Sequence, residues 1–323
     1  MSDTALPVLM QCFALPPSAP PDSLSRLQAA YEVVPLWQAA DASACIAAHG
    51  HRTQVLATSA FIPVDAAFID QFPALQAICN LGVGYDNIDV AHAKRRGIKV
   101  SNTPDVLDDC VADLAWGLIL STLRGMGAAE RYLRSGQWTS RLAALPMGHR
   151  VTGKRLGIVG LGRIGQAIAT RAQGFCMPVR YHNRNPRPEC PYEYAASLPE
   201  LAEWADILVI ATTGGEQTRH LINMPILQAL GPEGFLINIA RGSVVDEEAL
   251  AQALEQGIIA GAGLDVFEDE PHVPAGLLQA DNATLLPHIA SATIETRSAM
   301  VALQLDNLCA YARSGRLLTE VQP

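Results

Sequence analysis

Short apolar runs alternate with amphipathic helical patterns along nearly the whole chain, and that alternation leaves few architectures open. In the first third the runs are Val8 to Phe13, Glu32 to Leu36, Thr53 to Thr58, Leu75 to Asn80 and Ile98 to Ser101. A second series reads Arg155 to Gly160, Val179 to His182, Ile207 to Ala211, Phe235 to Ala240, Ala262 to Phe267 and Thr284 to Leu286. Nearly all are apolar at consecutive positions, as strands of a parallel sheet must be when helices cover both faces. Between them, Asp22 to Tyr31 and Asp65 to Phe72 read as helices opened by a capping Asp. Ser197 and Glu200 form a capping box before Leu201 to Trp204, and Asp246 to Gln256 is a helix ended by Gly257.

The pattern predicts an α/β chain of two doubly wound, parallel-sheet, Rossmann-like domains. Asp108 to Arg124 is long and unusually apolar (Val111, Leu114, Ala115, Leu118, Ile119), which suits a helix buried between two domains. A final helical pattern, Ile294 to Arg313 with Gly315 behind it, returns to the first domain. The expected division is therefore 1–101 with 288–323 as a flavodoxin-like substrate domain, and 102–287 as an inserted nucleotide-binding domain.

At 323 residues the chain exceeds one ordinary core. It is 49% hydrophobic and 17% charged, the balance of a protein with large cores and not of a disordered one. A formal charge of -9 argues against nucleic acid as a partner. The basic cluster Lys94, Arg95 and Arg96, followed by Gly97, reads as the last turn of a helix. Seven cysteines are scattered without a Cys-x-x-Cys pair, which suits reduced thiols and no zinc site. His49 and His51 lack a carboxylate or thiol at ligand spacing. Met1 to Leu15 has no basic leader region and no run approaches a membrane span, so a cytoplasmic location without membrane association is expected.

Gly160-Leu-Gly-Arg-Ile-Gly165 lies between a strand and a helix. In that setting Gly160 allows the tight turn, Gly162 lets backbone approach a pyrophosphate, and Gly165 lets the helix pack on the strand; Arg163 and Ile164 open the helix. At the end of the next strand an acid would bind a ribose 2′-hydroxyl and repel a 2′-phosphate. Here the chain reads Tyr181-His182-Asn183-Arg184-Asn185-Pro186-Arg187, with neutral Asn183 followed by arginines. A guanidinium holds a phosphate through charge-assisted hydrogen bonds, so NADP (NADPH) is the expected cofactor, with NAD also admitted; a solvated basic loop is the alternative. Further on, Arg241, Glu270 and His288 each close or follow an apolar run. Taken singly, they also read as a structural ion pair, a surface acid and a core histidine.

These segments resemble the D-isomer-specific 2-hydroxyacid dehydrogenase family, most of all its hydroxypyruvate, glyoxylate and hydroxyphenylpyruvate reductases. The resemblance covers almost the whole chain and is densest in Leu81-Gly-Val-Gly-Tyr-Asp-Asn-Ile-Asp89, Asn102-Thr-Pro104, 160–165, Asn238-Ile-Ala-Arg-Gly242, Gly263-Leu-Asp-Val-Phe-Glu268 and Pro287-His-Ile-Ala290. It implies an enzyme reducing 2-keto acids to D-2-hydroxy acids. By the same resemblance, Arg241 pairs with the substrate carboxylate and polarises the keto oxygen. His288, supported by Glu270, donates the proton. A carboxylate beside an imidazole favours the charged ring and keeps that proton available near neutrality.

The resemblance further implies that Leu81, Gly82, Val83 and Gly84 form the substrate loop, with backbone N–H groups toward the carboxylate. Thr212, Ala240 and Asp265 fall at the cofactor, Asp265 on the carboxamide side of the nicotinamide. Trp138 resembles a tryptophan that some relatives send into a partner's active site, and a homodimer is expected. Departures are Thr213-Gly214-Gly215 in place of a proline-containing segment, Asp113 for Glu and Ala290 for Gly. Other classes weigh less. A redox-sensing binding protein on the same fold would keep the same residues, but no Pro/Ser/Lys-rich tail is present. A phosphoglycerate dehydrogenase would carry an extension beyond residue 323, and a formate dehydrogenase would not be expected to have acidic Glu270. The side-chain preference among hydroxypyruvate, glyoxylate, 2-ketogluconate and aryl pyruvates stays open at this level.

Overall fold

The computed structural model describes residues 6–141 and 147–321; of the leader stretch discussed above, residues 1–5 lie outside the described residues. The chain divides into two compact units, one of residues 1–107 with 292–323 and one of 108–291. These limits lie downstream of the expected 101/102 and 287/288, and local hydrogen bonding explains both. Residues 102 and 103 are tied into the first unit, where Thr103 N–H donates to Gly82 O at 3.0 Å and Thr319 Oγ1 to Asn102 O at 2.6 Å. Residues 288–290 are held by Asp265 and so stay with the second.

The first unit contains β1 (Val8–Gln11), α1 (Ser23–Ala30), β2 (Glu32–Pro35), α2 (Ala42–His49), β3 (Thr53–Ser59), α3 (Ala66–Asp70), β4 (Ala77–Leu81), α4 (Val90–Arg95) and β5 (Lys99–Ser101). Its five strands are all parallel in the order β2-β1-β3-β4-β5, the flavodoxin-like arrangement. The C-terminal helix packs on this unit: the buried Gln304 amide donates to Thr58 O at 2.9 Å and Cys79 O at 2.8 Å, and Tyr31 Oη donates to Leu308 O at 2.7 Å. Asp65 caps α3 through Phe68 N–H, whereas the Asp22 side chain makes no cap at α1. Arg96 follows α4 and donates to Ile69 O and Phe72 O, so part of the basic cluster pins the end of α3 in place.

The second unit runs through α5 (Asp108–Arg124), α6 (Met126–Arg134), β6 (Leu156–Val159), α7 (Arg163–Ala172), β7 (Val179–His182), β8 (Glu193–Tyr194), α8 (Leu198–Trp204), β9 (Ile207–Ile210), α9 (Met224–Leu230), β10 (Phe235–Asn238), α10 (Glu247–Glu255), β11 (Gly261–Leu264), α11 (Ala275–Gln279) and β12 (Ala283–Leu285). The last helix of the chain, α12 (Ile294–Ser314), belongs to the first unit. The seven strands, again all parallel, are ordered β12-β11-β10-β9-β6-β7-β8. The order reverses at β6 and β9, which makes their C-terminal ends the switch point where ligands of such sheets bind. Register carries this edge across the sheet. Val159 lies level with both His182 and Ile210, Ile210 with Asn238, and Asn238 with Leu264.

Helix α5 is packed within this unit: Trp116 Nε1 donates to Ile168 O at 3.1 Å, and its ring stacks on Phe175 at 4.4 Å. Asp113, noted above as a departure, pairs with Arg171 of α7 at 2.8 Å. None of the seven cysteines, all among the described residues, forms a disulfide. Among the described residues no helix is long and apolar enough to cross a membrane, and no group of His, Cys, Asp or Glu has metal-binding geometry.

Candidate active site

Each residue placed at the cofactor by sequence lies on the C-terminal edge of the seven-stranded sheet. Three glycines shape the turn between β6 and α7. Gly160 has φ +96°, and a Cβ there would lie 2.6 Å from Thr212 N, so the turn presses directly on the end of β9. A Cβ on Gly165 would collide with Gly160 O, which leaves glycine as the residue that lets α7 lie on the turn. At Gly162 a Cβ would meet nothing within 4 Å. The opening lies where the first N–H groups of the ten-residue α7 emerge. A pyrophosphate fits such a cradle, because unpaired N–H groups and the helix dipole both favour an anion there.

Asn183, just past β7, accepts Leu161 N–H through Oδ1 at 2.6 Å. The two arginines after it separate. Arg187 donates to Leu161 O at 2.8 Å and pairs with Glu189 at 2.7 Å, so it braces the glycine turn. Arg184 is exposed, with its guanidinium 3.0 Å from Gln217 Oε1. The Thr213-Gly214-Gly215 segment is closed by Thr218, whose Oγ1 donates to Thr213 O at 2.8 Å, so it forms a defined loop without the proline.

Arg241 follows β10 on a turn fixed by the buried Asn238, whose Nδ2 donates to Arg241 O at 2.9 Å and whose Oδ1 accepts Ala240 N–H at 3.0 Å. The next residue, Gly242, is in such close contact with the Phe267 carbonyl and Glu268 N that a Cβ has no room. Arginine-bearing and carboxylate-bearing segments are therefore in direct backbone contact. Glu270 turns back so that Oε1 accepts Phe267 N–H at 3.0 Å, and Oε2 meets His288 Nδ1 at 2.8 Å. Burial pushes the Glu270 carboxyl up. The hydrogen bonds from His288 and Phe267 N–H, with the charges of His288 and Arg241, outweigh this and hold it below the usual carboxylate range. An ionised Glu270 only accepts, so Nδ1 carries the hydrogen of that bond and Nε2 is the ring atom left for proton exchange.

His288 sits at φ +51°, a left-handed conformation that costs a non-glycine residue about 1–3 kcal/mol. Asp265 holds it there. The Asp265 backbone O accepts His288 N–H at 2.8 Å, and its two carboxylate oxygens accept Ile289 and Ala290 N–H, each at 2.8 Å. The carboxyl of Asp265 is fully buried, and burial raises its pKa although both N–H groups and His288 oppose the shift. Asp265, expected on the carboxamide side of the nicotinamide, uses both carboxylate oxygens in ordering the histidine segment.

In the first unit, Leu81 ends β4, and the loop after it is fixed by side chains. Asn80 Nδ2 donates to Gly84 O at 2.8 Å and Asn102 Nδ2 to Val83 O at 2.8 Å. Gly82 N–H donates to Thr103 Oγ1 at 3.0 Å, so this expected donor is engaged within its own unit. Trp138, beyond α6, is 51% exposed. The second unit holds further residues that the sequence does not single out. Glu247, Glu268, His220 and Arg219 surround the Glu270 segment. Glu268 lay inside a quoted motif, but Glu247 read as an ordinary acid at a helix start.

The glycine geometry separates two roles. Gly162→Ala should melt within about 2 °C of the parent yet bind NADPH at least tenfold more weakly in a fluorescence titration, while Gly165→Ala should lower the melting temperature itself. Equal melting temperatures for the two variants would contradict this.

Known proteins are similar to this chain over most of its length. Residues 116–290 match the family model described as D-isomer specific 2-hydroxyacid dehydrogenase, NAD binding domain. Glyoxylate/hydroxypyruvate reductase A of Arabidopsis thaliana is 42% identical over 297 residues, covering 92% of this chain and 94% of its own. Hydroxyphenylpyruvate reductase of Plectranthus scutellarioides is 46% identical over 257 residues, or 80% of this chain and 82% of its own. Among solved structures, the NADPH-dependent glyoxylate/hydroxypyruvate reductase of Sinorhizobium meliloti, in complex with NADP and malonate, is 42% identical and superimposes with a TM-score of 0.89 over 98% of this chain and 97% of that one. By the family model over residues 116–290 and by the extent of these similarities, the chain belongs to the D-isomer-specific 2-hydroxyacid dehydrogenase family.

Proposed function

We propose that the protein is an NADPH-preferring reductase of small 2-keto acids, hydroxypyruvate and glyoxylate foremost, yielding D-2-hydroxy acids. The observation that carries this reading is the 2.8 Å contact between Glu270 and His288 Nδ1, on the same edge as the glycine turn and next to the Arg241 turn. The relatives support it, since those of the most similar chains are named for glyoxylate, hydroxypyruvate and hydroxyphenylpyruvate reduction.

The bound nicotinamide would supply a hydride to the keto carbon. Gly160, Gly162 and Gly165 would hold its pyrophosphate, with Arg184 on a 2′-phosphate. Negative charge develops on the substrate oxygen as the reaction proceeds, and the Arg241 guanidinium offsets it. His288 Nε2 gives that oxygen a proton, while ionised Glu270 fixes the ring and stabilises its charged form before the transfer. Because Asp265 already holds His288 in its left-handed conformation, little reordering is left for the moment of reaction.

Steady-state kinetics on hydroxypyruvate, glyoxylate, 2-ketogluconate and an aryl pyruvate, each with NADPH and NADH, test the substrate class. The highest kcat/KM is expected for hydroxypyruvate or glyoxylate with NADPH; no turnover of any 2-keto acid would end the proposal. Arg184→Ala should raise the KM for NADPH and leave that for NADH nearly unchanged. His288→Gln should cut kcat by about 10²-fold or more, with NADPH affinity retained. In Glu270→Gln the negative partner of the imidazolium is gone, so keto acid reduction should lose activity at a lower pH than in the parent. An unmoved pH profile would show that the proton comes from elsewhere.

A homodimer is part of the same proposal. Helix α6 buries none of its side chains within the chain, and Met126, Leu133 and Trp138 are 47%, 55% and 51% exposed. Light scattering should report about twice 34.5 kDa, and a monomer at micromolar concentration would refute this.

A further inference from the structure

Glu247 is the first residue of α10, yet it is only 9% exposed. It has no capping duty. Asp246 already caps the helix by accepting Ala249 N–H at 3.0 Å. The Glu247 side chain reaches away from its own helix, and Oε1 accepts Glu268 N–H at 2.8 Å. The preceding N–H, that of Phe267, goes to Glu270 Oε1 at 3.0 Å. Two consecutive peptide N–H groups are thus taken by two different carboxylates, while Gly242 presses on the Phe267–Glu268 peptide. The Glu268 side chain is occupied elsewhere, with Arg219 at 2.6 Å and His220 at 3.1 Å.

We propose that Glu247 is a positioning residue for the Glu270–His288 couple: by holding Glu268 N–H it fixes the Phe267–Glu268 peptide, and with it the adjoining Phe267 N–H that aims Glu270 at His288. The proposal rests on the reading of His288 as the proton donor. A bare structural contact would be cheaper with a neutral side chain, because a carboxylate is costly to bury. Here burial, together with the neighbouring carboxylates of Glu268 and Glu270, pushes the Glu247 carboxyl up, opposed by Glu268 N–H and by His220. Without the Glu247 acceptor, Glu268 N–H is left unpaired in a partly buried place. The segment would then turn to satisfy it, and Phe267 N–H would move off Glu270.

The test compares Glu247→Ala, Glu247→Met and Glu247→Gln in the full chain, with hydroxypyruvate and NADPH. Alanine and methionine remove the acceptor, and methionine keeps the volume should alanine fail to fold. Both should lower kcat by about tenfold with NADPH affinity within twofold of the parent, and both should shift the loss of keto acid reduction to lower pH, as in Glu270→Gln. Glutamine keeps an oxygen for Glu268 N–H and should recover most of that turnover and the parental pH profile. Parental kcat in a folded alanine or methionine variant overturns the proposal. So does a glutamine variant as impaired as alanine. If His288→Gln is inactive while Glu247→Ala is normal, only the positioning role fails; if His288→Gln is fully active, the proton-donor reading itself has failed.

Discussion

Four polar groups of Asp265 organise the reactive edge of the second unit. Its N–H donates to Asn238 O at 3.0 Å, its C=O receives His288 N–H, and its two carboxylate oxygens receive the N–H groups of Ile289 and Ala290. One buried residue thereby connects the ends of β10 and β11 to the segment that follows β12. Burying a carboxylate is expensive, and two short N–H bonds are the compensation that makes it tolerable. In return a histidine is kept in a backbone conformation it would rarely adopt alone. The rest of the site inherits this order. Glu270 needs a fixed imidazole to meet, and Arg241 stands on the Asn238 turn to which Asp265 is bonded.

Contact without side chains is the second device. Gly160 against Ala211 and Thr212, Gly165 against Gly160, and Gly242 against Phe267 and Glu268 each bring backbone onto backbone at strand ends. Loops held this way acquire the rigidity of the sheet beneath them, which suits a site whose groups must be placed to fractions of an ångström. Small deviations in a strand end would pass directly into the groups it carries.

Much of this was legible because buried parallel strands declare themselves by composition. All five strands expected in the first series and all six in the second occur, with ends shifted by at most three residues. Strand β8, Glu193–Tyr194, escaped notice because it is two residues long and partly exposed, so it carries no apolar run. Helix α2, Ala42–His49, is mostly small residues with no buried face, and nothing periodic marks it. The Arg241, Glu270 and His288 positions could be named from motifs, and the glycine roles from spacing. The Glu247 contact could not, since it joins residues 21 apart through a side chain whose local setting looks like any acid opening a helix. The Gly82 N–H contact is hidden in the sequence for a similar reason, its partner Thr103 lying 21 residues away.

Asn183 joins two properties in one side chain that evolution can nevertheless alter separately. What the glycine turn requires of it is an oxygen for Leu161 N–H, and the amide supplies one. Aspartate offers an oxygen of the same reach on the same stem. Exchanging the remaining amide nitrogen for oxygen leaves the turn supported and changes only the charge beside the exposed Arg184. The structural demand and the electrostatic one are thus met by different atoms of a single residue.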